Sequence, residues 1–195
     1  MKEGWNRLRD KVFFTVEELA GLLGIKRQSA WVLCSRYVRN GKFIRLKKNF
    51  YVLEDNWRAM SNEKFFELAS FLQVPSYISF LTALSYYEIT TQVTRNYFES
   101  VALKRSAEFE AGPTRFEYYK IKKNYYFGFG KKGNFFIASR EKAFADAVYL
   151  YSFGKYKLDF SAINKAKFDM IELKRIMRRF PAKTCRIMEK LCRTL

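Results

Sequence analysis

Arg27 and Gln28 stand side by side, and these side chains carry the hydrogen-bonding patterns that read base edges. Arg pairs bidentately with guanine and Gln with adenine in the major groove. Lys26 precedes them, and Ser29 follows with a hydroxyl suited to a phosphate oxygen. Arg36 and Arg39 lie further along, where contacts to the sugar–phosphate backbone position a protein without specifying sequence. Lys47 and Lys48 make a third basic cluster, expected to touch phosphates or an adjacent minor groove. These eight residues point to double-stranded DNA as the ligand.

The wider composition fits that ligand. Lys and Arg number 37 against 19 Asp and Glu, a formal charge of +18. The excess is spread along the chain: 12 basic and 5 acidic residues up to position 54, 15 and 10 from 55 to 158, and 10 and 4 beyond. Such a charge repels itself and calls for an anionic partner. The chain has no His, which removes His-dependent bases, nucleophile systems and His metal sites. The acids are scattered, with no Asp-x-Asp and no Gly-rich Lys-Ser/Thr loop, as metal-assisted phosphoryl chemistry would require. Glu117 and Lys120 resemble half of a nuclease site, but strand alternation explains them equally. No catalytic residue, metal or cofactor is expected. Cys34, Cys185 and Cys192 are an odd set without disulfide spacing, which suits a reducing compartment. No apolar run suits a signal peptide or a membrane span, so the expectation is a cytoplasmic protein with no membrane partner.

Elements must place these groups. Thr15 caps a helix, with Glu18 completing a capping box, and Val16, Leu19, Ala20 and Leu23 repeat on one face. Gly24 ends it. A second helix is predicted from about Lys26 to Asn40, burying Ala30, Leu33, Cys34 and Tyr37. Arg27, Gln28, Trp31, Ser35 and Arg36 fall largely elsewhere; Trp31 either packs on the first helix or touches DNA. Lys42–Leu46 and Phe50–Leu53 then read as a hairpin around Lys47-Lys48-Asn49. Helix, turn, helix, hairpin is the order of a winged helix-turn-helix, here residues 1–54. Winged helices also serve as protein–protein modules, and a basic helix face is often only solvated.

Residues 55–195 are predicted to form a larger, basic α+β domain, so the fold class is α+β throughout. Glu54-Asp55-Asn56-Trp57 reads as a polar connection. Helices are expected over Asn62–Leu72 and Ser79–Tyr87. Tyr97–Lys104, Arg115–Lys122, Tyr125–Phe129 and Asn134–Ala138 suggest a small antiparallel sheet with an exposed basic, aromatic face. Tyr118, Tyr119, Tyr125, Tyr126 and Phe127 interleave with lysines as in single-stranded RNA platforms, although sheet core explains such rings too. Ser139 caps a helix over Arg140–Tyr151, and C-terminal helices follow Asp169 and Pro181. Lys120, Lys122, Lys174, Arg175, Arg178, Arg179, Arg186 and Lys190, with Arg193 in the same row, would form a partner face or a second DNA-contact face. A solvated surface complementing helix C-termini is the plainer reading.

Phe14-Thr15, Glu18-Leu19-Ala20, Leu23-Gly24, Gly41-Lys42-Phe43 and Tyr51-Val52 resemble the N-terminal domain of AbiEi-type antitoxins of type IV toxin–antitoxin systems. Pro75–Ser79 with Ala83–Tyr87 looks like the opening of their second domain. Ala138–Ala143 with Asp146 and Tyr149 is similar to that family's most diagnostic segment. One departure is Phe50, where the family often has Gly before the hairpin Tyr. The resemblance implies an autorepressor on promoter inverted repeats and a cognate nucleotidyltransferase-like toxin as partner. Glu141, Lys142 and Asp146 then serve structure: Glu141 suits the helix dipole, and Glu141 or Asp146 ties that helix to the sheet. The alternative is a stand-alone winged-helix transcription factor with a ligand- or protein-sensing C-terminal domain. One winged helix per chain suggests a monomer or weak dimer that pairs on DNA.

Overall fold

Thr15 starts its helix as the spacing to Glu18 requires: its hydroxyl accepts from Glu18 N–H, and the Glu18 carboxylate accepts from Thr15 N–H. The computed structural model describes residues 2–92 and 95–193, and the side chains of 2–5 and of Cys192 and Arg193 lie outside that description. Helix α1 (Lys2–Arg9) and strand β1 (Phe14–Thr15) precede α2 (Val16–Leu23). Gly24, at φ +64°, closes α2 in the left-handed region that glycine tolerates. Helix α3 (Arg27–Arg39) follows, then the hairpin β2 (Phe43–Lys47) and β3 (Phe50–Leu53). β3 lies between β1 and β2 in a three-stranded antiparallel sheet. Asn49 takes φ +68° in the hairpin turn, as its short amide side chain permits. Leu8, Phe14, Val16, Leu19, Ala30, Cys34, Phe43 and Tyr51 form the core of this winged helix-turn-helix.

The expected polar connection at Glu54–Trp57 is instead a short helix, α4 (Glu54–Arg58). Trp57 is buried against the Phe65 ring at 5.0 Å. An aromatic of that area finds cover even in a polar stretch. Helix α5 (Asn62–Leu72), strand β4 (Ser76–Ile78) and helix α6 (Phe80–Tyr86) lead into β5 (Tyr97–Ala102), β6 (Ala107–Ala111), β7 (Thr114–Lys120), β8 (Phe129–Lys132) and β9 (Phe135–Ala138). Helices α7 (Arg140–Ser152), α8 (Met170–Met177) and α9 (Ala182–Arg193) complete the chain.

The α+β class holds, with an N-terminal winged helix-turn-helix and a larger domain. The larger domain's sheet, however, is neither small nor purely antiparallel. It has six strands in the order β6-β7-β5-β4-β9-β8. The β5–β7 and β4–β9 pairs are parallel. Strands β4 and β6 were not expected, since a three-residue strand beside Pro75 carries no readable period. The strand expected over Tyr125–Phe129 is a 3-10 turn (Lys123–Tyr125) with β8 beginning only at Phe129. Nor is the aromatic face exposed: Phe116 and Tyr118 are fully buried, and Tyr119, Tyr125, Tyr126 and Phe127 are half-buried.

The wing is seated on the larger domain. Phe71 of α5 stacks on Phe13 at 4.1 Å and meets Phe50 edge-on at 4.8 Å. Gly112, at φ +55°, lets Ile44 approach: a Cβ there would lie 3.2 Å from Ile44 Cδ1. Leu46 and Val52 belong to the core of the larger domain rather than to that of the winged helix.

Candidate nucleic-acid interface

Helix α3 buries Ala30 and Cys34 and exposes the opposite face. Gln28, Ser29, Arg36 and Arg39 are exposed there, Arg27 is exposed in the first turn in line with the buried stripe, and Lys26 precedes them at the N-cap. Lys26 makes no side-chain cap bond. The first-turn amides of a helix lack intrahelical partners and suit an anion. Cys34 sits in the core, where burial pushes its thiol up to about 11, so it is a packing residue.

Three elements converge on Glu17 of α2. Arg27 Nε donates to it at 2.6 Å, and Asn49 Nδ2 donates at 2.7 Å. The Asn49 Oδ1 accepts from Val16 N–H at 3.2 Å. These bonds hold the Glu17 carboxyl down at about 2. Glu17 thereby fixes the distance between α3 and the wing turn. Between them lies a hollow of about 550 Å³ lined by Val16, Arg27, Gln28, Trp31, Arg45, Lys48 and Asn49.

Lys47 does not sit at the wing tip as expected. The turn is Lys48-Asn49, and Lys47 folds back toward α5. Its Nζ lies 3.9 Å from the Phe71 ring centroid and donates to Phe71 O at 3.3 Å. Burial lowers its pKa. Lys48 is the exposed lysine of the turn. Arg45 and Val32 were not named from the sequence, and Asn49 was named there as a turn residue rather than as part of the site. Val32 lies one helical turn from Gln28, so spacing alone would have placed it on the same face.

The other predicted residues lie elsewhere. Lys120 ends β7 and Lys122 follows it, both exposed. Lys174, Arg175, Arg178 and Arg179 are exposed on and just after α8, as are Arg186 and Lys190 on α9. Arg175 is paired with Glu172 at 2.7 Å, and the Arg179 guanidinium lies 3.5 Å from the Phe127 centroid. Tyr125 stacks on Phe180 at 5.1 Å, which brings the Lys122 turn toward the end of α8.

Glu141, Lys142 and Asp146 are buried. Lys142 Nζ donates to Tyr77 Oη at 2.9 Å and pairs with Asp146 one turn on. Tyr77 Oη and Ser79 Oγ donate to Asp146 Oδ2 at 3.0 and 2.8 Å. Burial pushes the Asp146 pKa up and the Lys142 pKa down, against their mutual attraction. Asp146 joins α7 to β4 of the sheet. Glu141 joins α7 to α8 instead, accepting from Asp169 N–H at 3.1 Å. Gly128 is fixed by the same group: at φ +70°, its Cβ would lie 3.0 Å from Lys142 Cγ.

A helix-turn-helix whose second helix faces solvent, flanked by a basic hairpin, defines the winged helix-turn-helix class of fold. Residues 6–53 match the family model described as transcriptional regulator, AbiEi antitoxin. That match covers the winged helix, the same stretch whose residues resemble the AbiEi-type antitoxins in sequence. The larger domain lies outside the matched residues. No curated protein matches the chain, and no solved structure does. Among the described residues, no helix is long and apolar enough to cross a membrane.

Proposed function

We propose that the chain is a DNA-binding autorepressor and the antitoxin to a nucleotidyltransferase-like toxin. Residues 1–54 are its DNA-binding domain and residues 55–195 its basic antitoxin domain. The match over residues 6–53 supports the regulator and antitoxin class. One observation carries the DNA reading: the outward face of α3 and the wing turn together present Lys26, Arg27, Gln28, Ser29, Arg36, Arg39 and Lys48 to solvent. That spacing suits a helix in the major groove with the wing on the flanking phosphates. Each chain supplies one such helix, so an inverted repeat takes two copies, paired on the DNA. Lys120, Lys122 and the basic residues of α8 and α9 form the face for the toxin or for a second stretch of DNA.

The test is a gel shift on the DNA upstream of the chain's own gene at low salt, alongside co-expression with the product of the adjacent gene. Retardation, lost in Arg36→Ala/Arg39→Ala, and rescue from that product's toxicity are the expected results. Lys174→Gln/Arg178→Gln should keep the shift and weaken the rescue. Absence of any shift removes the repressor reading. Absence of rescue removes the antitoxin reading.

A further inference from the structure

Two large apolar side chains stand largely exposed on the outer side of α3. Trp31 is 61% exposed and Val32 65% exposed, whereas Ala30 and Cys34 of the same helix are fully buried. Gln28, Val32, Ser35 and Arg39 follow one another at steps of three and four, which places them on one line opposite the buried stripe. Trp31 borders two hollows. One is the space shared with the wing, edged by Arg27, Arg45 and Lys48. The other, of about 510 Å³, is formed with Val32, Ser35, Arg36, Arg39 and Asn40.

The occupant follows from what surrounds this pair. Five cations rim it, and the acid close by, Glu17, is already engaged by Arg27 and Asn49. An apolar pair within a charged rim also occurs at protein interfaces, but a second copy of this chain, at formal charge +18, would set the same cations against these, and like charges repel. A duplex supplies phosphates for both rims. In the major groove its one prominent apolar group is the C5 methyl of thymine. We infer that Trp31 and Val32 read thymine methyls, so that the chain selects A·T pairs at the centre of each half-site. This rests on the DNA-binding reading above and adds which bases are chosen. The rise of about 1.5 Å per residue sets Val32 about 6 Å beyond Gln28, or about two base steps of 3.4 Å.

The full chain is used to retain duplexes from a random library of about 30 base pairs at about 50 mM salt, where phosphate contacts are strong. The retained pool is then amplified with dTTP or with dUTP, which removes only the methyl. Wild type is expected to bind the uracil pool about four-fold more weakly for each methyl contacted, from the transfer of one buried carbon. Val32→Ala and Trp31→Ala, both at exposed positions and expected to melt like wild type, should shrink that ratio toward one. Arg36→Ala should weaken both pools equally. Equal affinity of wild type for the two pools overturns the inference while leaving duplex binding intact. Failure to enrich any duplex overturns the DNA reading itself, and the inference with it. If Trp31→Ala abolishes self-association in sedimentation and leaves the uracil ratio unchanged, the pair is a protein contact and the inference falls.

Discussion

Helices α3 and α7 are each 13 residues long, and each carries several charged side chains, yet the two do opposite work. Helix α3 holds Arg27, Arg36 and Arg39 with no acid, and all three are exposed. Helix α7 holds Arg140, Glu141, Lys142 and Asp146, and every residue but Arg140 and Tyr151 is buried. In α3 the charges stay hydrated, so they contribute little to stability and remain open to the proposed partner. In α7 the charges have been desolvated by the fold itself, so they must be paired at home. The difference lies in water access rather than residue type, and mutations should separate the two helices cleanly.

The largest separation is expected at Lys142. Lys142→Met leaves Asp146 buried without its counter-ion, which should cost about 3–5 kcal/mol. Arg36→Ala, an exposed change without such a feature, should stay within about 0.5 kcal/mol. Urea unfolding measures both. Lys142→Met/Asp146→Asn restores neutrality and keeps an acceptor for Tyr77 and Ser79, so it should recover most of the loss. A double variant no better than Lys142→Met would mean that the pair does more than balance charge. A costly Arg36→Ala would mean that α3 is less solvated than its exposure indicates.

A lone buried acid sharpens the contrast. Glu99 on β5 is almost fully buried and accepts from Tyr156 Oη at 3.0 Å and Leu81 N–H at 3.1 Å. Burial pushes its carboxyl up from 4.5 to about 7, because those bonds do not replace a counter-ion. Between these values the folded chain holds a proton that the unfolded chain releases. Its contribution is therefore full below about 4.5 and lost as pH rises through about 7, on the order of 3 kcal/mol. Glu99→Gln should remove that slope and leave the variant relatively more stable at pH 8 than at pH 5. A wild-type minus variant difference that is flat with pH would show Glu99 ionised in the fold.

The end of α3 proposed to read bases comes next in size. Gln28→Ala should lower specific affinity by about 1–3 kcal/mol and relax preference at one base pair. Arg27→Ala should do the same at a neighbouring pair, with an added loosening of the wing because Arg27 also holds Glu17. Gel shifts on the selected duplex and on single-base variants separate base reading from mere attraction. Equal weakening on every sequence would reduce both residues to phosphate contacts.

Much of α3 was legible, and much of its surroundings was not, for one physical reason. Local devices leave local marks: the Thr15–Glu18 box, the Gly24 stop, the Ala30–Cys34–Tyr37 stripe and the left-handed Asn49 all lie within a turn of what they do. Seating the wing depends on Phe71, far along the chain, and no period near Lys47 announces it. Phe50 did stand out, as a departure from the family's frequent Gly, and it is a residue that meets Phe71. In the sequence, Ala143, Ala147 and Leu150 of helix α7 fall at the spacing of a single apolar stripe. The helix is buried on nearly every side, and alanines spaced through a helix also fit close packing all round. The six-stranded sheet stayed hidden because β4 has three residues, and parallel partners such as β5 and β7 are separated by another strand in sequence.

The wing offers the smallest and most selective test. Lys47 and Lys48 are adjacent and chemically identical, but Lys47 ends β2 against the Phe71 ring while Lys48 lies exposed in the turn. Lys47 covers Phe71, so Lys47→Ala should lose about 0.5–1 kcal/mol of stability, the worth of a modest cation–π contact. Its slope of log K against log salt on duplex DNA should not change. Lys48→Ala should leave the melting transition in place and flatten that slope by about one unit, the signature of one phosphate contact released. If both substitutions flatten the slope, Lys47 leaves the Phe71 ring when DNA arrives. The contact between wing and larger domain would then open on binding, and the two domains would be coupled through one lysine rather than held in a fixed pose.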